Sequence, residues 1–154
     1  MRADGCRLRS ERPARYSRPG TARRFAPHRG CQHPALAVGV ASQAFELILG
    51  APGLYIFVLE LAGAVVATAY LNVIPNLTRS ASPYAVIENV VVEESLRGTG
   101  LGKQIMAGTL RAAWDAGCYK AILMTGSRKP ATHAFFRACG FSAEAKTGYV
   151  ARPS

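Results

Sequence analysis

Residues Arg97-Gly98-Thr99-Gly100-Leu101-Gly102-Lys103 place three glycines between two cations. Just upstream lies the apolar run Ala85-Val86-Ile87-Glu88-Asn89-Val90-Val91-Val92, and just downstream a helix-like run from Gln104 to Ala116. A glycine-rich turn that opens a helix leaves backbone N–H groups without intrahelical partners at the positive end of the helix dipole. Such a turn suits anions, phosphates above all, and needs no particular side chain to hold them. Arg97 and Lys103 add charge at its two ends. Glu88 is the only acid within the upstream apolar run. Burial there would raise its pKa towards the range of a general base. A solvent-facing or cation-paired Glu88 would be an ordinary surface carboxylate.

These residues need a scaffold, and the flanking sequence describes one. Tyr84–Val92 reads as a strand, apolar on both faces near its end, as in the centre of a sheet. After the turn, Leu101, Ile105, Met106, Thr109, Leu110, Ala113 and Trp114 recur at helical spacing on one side, and Gly117 closes the helix. Tyr119–Thr125 reads as a further strand, parallel to the previous one because a helix connects them. Gly126–Lys129 is a loop, and Pro130 opens a second helix that ends at Cys139 with Gly140 as its stop. Phe141–Val150 has room for two short strands. Before the site, Ser42–Leu49 suits a short helix, Leu54–Leu61 and Ala64–Ile74 a hairpin through Ala62-Gly63, and Pro75–Pro83 a polar loop. The predicted fold is α/β (α+β), a mixed central sheet flanked by helices.

The chain has 154 residues, 49% of them hydrophobic, and a net charge of +10. That length supports one domain with a core of its own. The charge is uneven. Residues 1–34 hold nine Arg and no Lys against Asp4 and Glu11, a net of +7, which leaves +3 for residues 35–154. The expected division is an Arg-rich disordered tail over 1–34 and a folded domain over 35–154. A nucleic-acid-binding tail, an organelle-targeting peptide and an export signal at Arg23-Arg24-Phe25 are the functional alternatives for the tail. The body of the protein is therefore only mildly basic, and its charge does not by itself point to nucleic acid. Ala35–Ile74 carries only Glu46 and Glu60 as charges, but Gly50, Pro52, Gly53 and Gly63 break it, which argues against a membrane span. Cys6, Cys31, Cys118 and Cys139 match no zinc spacing, and Cys118 and Cys139 read as reduced, buried small hydrophobes, so no metal and a cytoplasmic location are expected.

The order of these elements resembles the GNAT superfamily of acetyl-CoA-dependent N-acetyltransferases. Its signature, Arg/Gln-x-x-Gly-x-Gly/Ala after a strand, is matched by Arg97, Gly100 and Gly102. A second element, an aromatic followed three residues later by Gly-Phe, is matched by Phe136-Arg137-Ala138-Cys139-Gly140-Phe141. The likeness covers about Phe45 to Val150. Within the superfamily, Ile87–Val92 and Cys118-Tyr119-Lys120 are similar to glucosamine-6-phosphate N-acetyltransferases, which carry Glu-Asp where this chain has Glu88-Asn89. The family's first strand and first helix have no convincing counterpart. They are expected to be missing or degenerate, which would leave the edge of the Leu54–Leu61 strand unpaired.

The resemblance implies acetyl-CoA as cosubstrate and a small-molecule primary amine as acceptor, joined in a ternary complex. The amides of Gly98, Thr99, Gly100, Leu101, Gly102 and Lys103, with Arg97, would hold its pyrophosphate. The backbone of Val90, Val91 and Val92 would pair with its pantetheine arm, in a slot where two strands splay apart. An amine must lose a proton to attack, and Glu88 is the candidate base. Asn89 is expected on the opposite face of the strand. The family's usual proton donor to the departing thiolate is a Tyr where this chain has Phe136. Tyr149, Tyr119 and Ser127 are the substitutes within the chain. Asn76, Arg79 and Ser80 are candidate acceptor contacts, and His133 reads as a packing or surface residue. Two rival functions are a CoA-binding domain with weak or no catalysis and a basic-tail nucleic-acid interaction protein. The choice between monomer and homodimer stays open.

Overall fold

The computed structural model describes residues 7–11 and 38–153. Among the described residues five strands form one sheet in chain order: β1 (Arg7–Glu11), β2 (Leu54–Leu61), β3 (Ala64–Ile74), β4 (Tyr84–Val92) and β5 (Ala121–Leu123). Neighbours are antiparallel from β1 to β4, and β5 runs parallel to β4. Helix α1 (Val38–Gly50) precedes the β2–β3 hairpin, and α2 (Thr78–Ala81) is a single turn between β3 and β4. Helix α3 (Leu101–Asp115) crosses from β4 to β5, and α4 (Pro130–Ala138) follows β5.

Local chemistry explains the joints. At the hairpin turn Ala62 and Gly63 both have positive φ, 50° and 76°, the primed geometry that matches strand twist. Helices α3 and α4 end alike. Past α3, the Cys118 N–H donates to Ala113 O at 3.0 Å and Gly117 N–H to Trp114 O at 2.9 Å. Past α4, Phe141 N–H donates to Phe136 O at 3.1 Å and Gly140 N–H to Arg137 O at 2.9 Å. Each is a Schellman closure that satisfies orphan carbonyls around a left-handed glycine. The Phe136 and Phe141 rings meet edge-on at 6.4 Å, the apolar contact that accompanies such a closure. The aromatic-x-x-x-Gly-Phe pattern is therefore first of all a helix stop.

One face of the sheet forms the core. Phe57 and Leu59, Ala67, Ala69 and Leu71, and Ala85 and Ile87 lie under Leu101, Ile105, Met106 and Ala113 of α3. Fully buried Thr109 satisfies its hydroxyl by donating to Ile105 O at 2.9 Å. Trp114 departs from the expected core stripe and is 49% exposed, because Ala113 takes the inward position in the last turn. Burial pushes the Cys118 thiol up, and it pushes Cys139 up against a smaller opposing pull from the Lys103 ammonium. Both thiols are free. Cys6 and Cys31 lie outside the described residues.

The termini correct three expectations. Arg7–Glu11, inside the segment expected to be a disordered tail, pairs with β2 from Arg7↔Glu60 to Glu11↔Ile56. Its sequence lacks an apolar pattern, but an edge strand needs only backbone partners and tolerates charge. The β2 edge is thus covered along Ile56–Glu60. A first helix is present too, as α1; the remainder of residues 1–34 lies outside the described residues. At the other end, residues 141–153 form no strand. Ser142, Glu144, Lys146 and Gly148 break any apolar alternation, and Tyr149 is 92% exposed, so pairing would bury too little to offset the ordering. The expected strand over Tyr119–Thr125 contracts to Ala121–Leu123, the length that pairs with β4.

Candidate functional site

The site begins where β5 lets go of β4. Their pairing runs over Ala85↔Ala121, Val86↔Ile122 and Ile87↔Leu123 and ends there. β4 continues to Val92, still paired to β3 on its other side, where Val92 faces Ala67. Glu88–Val92 therefore carries one backbone edge with no strand against it among the described residues. A bulge marks the start of this stretch. Tyr70 faces Glu88 and Thr68 faces Val91, so Asn89 and Val90 together oppose the single Ala69. Asn89 takes a φ of 51°, a conformation that Asn tolerates better than most residues. Thr68 Oγ1 donates to Asn89 O at 3.5 Å. The simple alternation expected for Glu88 and Asn89 is replaced by a bulge, which bends the strand and adds twist. An Asn inside an otherwise apolar run was the available signal.

The glycine turn follows directly. Glu93 caps a short 3-10 turn, its carboxylate accepting from Glu94 N–H at 3.1 Å. Arg97 Nε donates to Val92 O at 3.2 Å, with Nη1 3.7 Å from Glu94 Oε1. Thr99 Oγ1 donates to Leu96 O at 2.6 Å. These bonds fasten the turn to the end of β4. The first helical bond is from Gln104 N–H to Gly100 O, at 3.0 Å. The amides of Gly98 through Lys103 have no backbone acceptor among the described residues.

The three glycines do different work. Gly98 and Gly100 have φ of 81° and 95° and open space where a side chain would begin. They shape the turn. A Cβ on Gly102 would sit 3.0 Å from Phe135 Cε2 and 3.6 Å from Val92 Cγ2, so this glycine lets α3 pack against α4 and the end of β4. Leu101 is buried and contributes its amide alone, whereas Lys103 and Arg97 are exposed.

Glu88 is half-buried, on the sheet face away from the α3 core, since its neighbour Ile87 is buried against α3. Phe136 packs against Phe135 at 5.1 Å and against Phe141, and its ring offers no proton. The suggested substitutes are occupied or distant. Tyr119 stacks with Lys120 and Arg79 beside the start of β4, where its N–H donates to Pro83 O at 3.0 Å. Ser127 Oγ donates to Thr132 Oγ1 at 3.1 Å, and Tyr149 stands in solvent. His133 does more than expected: its Nε2 lies 2.8 Å from Ser127 O, which calls for the Nε2–H tautomer and ties the β5–α4 loop to α4. Asn76 organises its own loop, with Nδ2 donating to Thr78 O at 2.9 Å, Thr78 Oγ1 at 2.8 Å and Ser82 O at 3.3 Å. That loop turns through Arg79, Ser80 and Ala81 at left-handed φ of 56–58°.

A concavity of about 690 Å³ runs along α1, lined by Ser42, Gln43, Glu46, Leu47, Gly50 and Ala51, and holds none of the expected site residues. No group of three or more His, Cys, Asp or Glu side chains comes together among the described residues. No described helix is long and apolar enough to cross a membrane.

Known proteins resemble this chain in sequence and fold. The acetyltransferase (GNAT) family profile matches residues 29–141. A glucosamine 6-phosphate N-acetyltransferase of Trypanosoma brucei brucei is 34% identical over 88 residues, 57% of this chain and 58% of its own length. The chain thus spans less than two thirds of that relative. A solved structure from Agrobacterium tumefaciens str. C58, assigned as an acetyltransferase, superposes with a TM-score of 0.75 at 46% identity, covering 79% of this chain and 84% of its own. The glucosamine-6-phosphate N-acetyltransferase of Arabidopsis thaliana superposes at 0.62 with 26% identity, covering 71% and 75%. The strand, the glycine turn and the helix stop all lie inside the matched segment, and the chain belongs to the acetyltransferase (GNAT) family.

Proposed function

We propose that the chain transfers an acetyl group from acetyl-CoA to a primary amine of a small molecule, by direct attack in a ternary complex. One observation carries this reading. The open edge of β4 runs straight into a turn whose amides, from Gly98 to Lys103, have no backbone acceptor among the described residues. An extended amide-bearing arm that ends in a pyrophosphate needs those two features in that order. The residues present therefore fit coenzyme A.

Bound acetyl-CoA supplies an activated thioester carbonyl; the rest falls to the chain. The amides of Gly98–Lys103 hold the pyrophosphate, helped by the dipole of the fifteen-residue α3. The Val90–Val92 edge would hold the pantetheine arm, and its free N–H groups would supply hydrogen bonds to negative charge developing on the thioester oxygen. An alkyl amine, with a pKa of about 10.4, arrives protonated near neutral pH. Glu88, half-buried two residues before that edge, accepts its proton. Phe136 gives no proton to the departing thiolate, which leaves unassisted from that position. Two of the named relatives are glucosamine 6-phosphate N-acetyltransferases, which puts amino sugars first among acceptors to try.

A screen of acetyl-CoA consumption against amino sugars, amino acids, polyamines and aminoglycosides tests the reading. Turnover of one amine that Glu88→Gln slows supports it. Tight acetyl-CoA binding with no turnover of any amine would favour the CoA-binding domain without catalysis, the reading that the packed Phe136 ring supports.

A further inference from the structure

The second face of the sheet, away from α3, is unlike an ordinary covered face. Alternation from fully buried Ala67, Ala69 and Leu71 puts Thr68, Tyr70 and Asn72 on it. Glu88 lies on it too, directly opposite Tyr70. A polar row along an interior strand requires partners, and two of its members have them. Asn72 Nδ2 donates to Val86 O at 3.4 Å, and Thr68 Oγ1 to Asn89 O at 3.5 Å. Tyr84, further along the same face, lies under the Lys120 ammonium at 5.3 Å. Tyr70 is the exception. Its phenol makes no hydrogen bond to any described residue and stands beside the carboxylate placed nearest the open edge.

We infer that Tyr70 is an acceptor-binding, specificity-determining residue, whose phenolic O–H donates to an oxygen that the amine substrate carries close to its nitrogen. The inference rests on the acetyl-transfer reading and on Glu88 as the group that meets the amine. Side chains directly opposed on antiparallel strands have Cβ atoms about 4.5–5.5 Å apart. A molecule whose nitrogen meets Glu88 therefore brings its neighbouring atoms under the Tyr70 ring. Burial holds the phenol above its ordinary pKa, so near neutral pH it is a protonated donor. A donor beside a carboxylate matches a 1,2-amino alcohol: the nitrogen goes to Glu88 and the hydroxyl oxygen to Tyr70. A plain alkyl amine would leave the phenol without its hydrogen bond on closing the site, and discrimination follows from that loss.

The experiment uses trans-2-aminocyclohexanol and cyclohexylamine as paired acceptors, with the full chain and with Tyr70→Phe, which keeps the ring and removes only the hydroxyl. The wild-type chain should prefer the amino alcohol by about tenfold in kcat/KM, mostly through KM. Tyr70→Phe should erase that preference, raising KM for the amino alcohol and lowering it for cyclohexylamine, with no shift in the thermal midpoint or in the calorimetric affinity for acetyl-CoA. A merely structural Tyr70 would lower the thermal midpoint and affect both amines alike. A preference that survives in Tyr70→Phe, or a wild-type chain without one, overturns the inference while leaving the acetyl-transfer reading in place. A wild-type chain that binds acetyl-CoA but acetylates neither amine, nor any member of the wider screen, overturns both.

Discussion

Within β4, Ala85–Ile87 has a strand on each side, whereas Glu88–Val92 has β3 on one side and no strand of the described chain on the other. The two halves differ in burial as well. Ala85 and Ile87 are fully buried, while Glu88 through Val92 are half-buried or exposed. The closed half fixes α3 and the core. The open half gives up a row of interstrand hydrogen bonds, and in the proposed function its backbone groups go to coenzyme A. A single strand thus has two strand neighbours over three residues and one over the next five, and the Asn89 bulge lies just past the boundary.

Adjacent residues on either side of that boundary should fail in different ways. Ile87→Ala, which empties a core position, should cost about 2–5 kcal/mol of stability by chemical denaturation. Glu88→Gln should leave stability nearly unchanged and lower kcat by about 10²-fold at neutral pH, with unchanged acetyl-CoA affinity. Equal stability losses in the two variants would erase the functional distinction between the halves.

The glycine turn is the second test of the open half. Gly100→Asp sets a carboxylate among the amides proposed to hold the pyrophosphate and should weaken acetyl-CoA binding by about thirtyfold, roughly 2 kcal/mol, in calorimetry. Gly100→Asn has nearly the same shape, tolerates the left-handed backbone and adds no charge, so most of the affinity should remain. If the two variants bind alike, shape rather than charge governs the turn. Gly102→Ala belongs with the closed half despite its place in the motif. Its methyl group would press on Phe135, costing about 1 kcal/mol in stability and changing acetyl-CoA affinity by less than about threefold.

The closed half was readable in the sequence, and the physical reason is redundancy. Strand β4 over Tyr84–Val92, the hairpin turn at Ala62-Gly63 and the parallel β5 each rest on several residues that agree. The open half depends on single residues. The bulge rests on Asn89 alone, and no periodicity reports a register shift. The role of Gly102 is set by Phe135, a side chain 33 positions away, so the motif reads the same whether a glycine faces a ligand or a neighbouring helix. Edge strand β1 was missed for a third reason: Arg7-Leu8-Arg9-Ser10-Glu11 is held by backbone pairing, which leaves little trace in residue type. On the acceptor side, Glu88 was found by being the one acid in its strand, while Tyr70 becomes visible only once β3 and β4 are in register.

The smallest expected effect concerns Arg97, which the motif presents as a phosphate ligand. Its Nε is already committed to Val92 O at 3.2 Å, and its Nη1 lies 3.7 Å from the Glu94 carboxylate. The ion pair is exposed, so it adds little to stability, and Glu94→Gln should shift the unfolding free energy by less than about 0.5 kcal/mol. Binding should respond differently. Glu94 is a negative charge close to the turn proposed to hold the pyrophosphate, so its neutralisation should tighten acetyl-CoA binding about twofold at low ionic strength. The gain should fade as salt approaches 1 M, where the screening length falls to about 3 Å. The opposite sign would carry its own meaning. Weaker binding in Glu94→Gln would show that the carboxylate holds the guanidinium in place for the phosphate. Arg97 would then belong to the binding surface rather than to the fastening between the turn and β4.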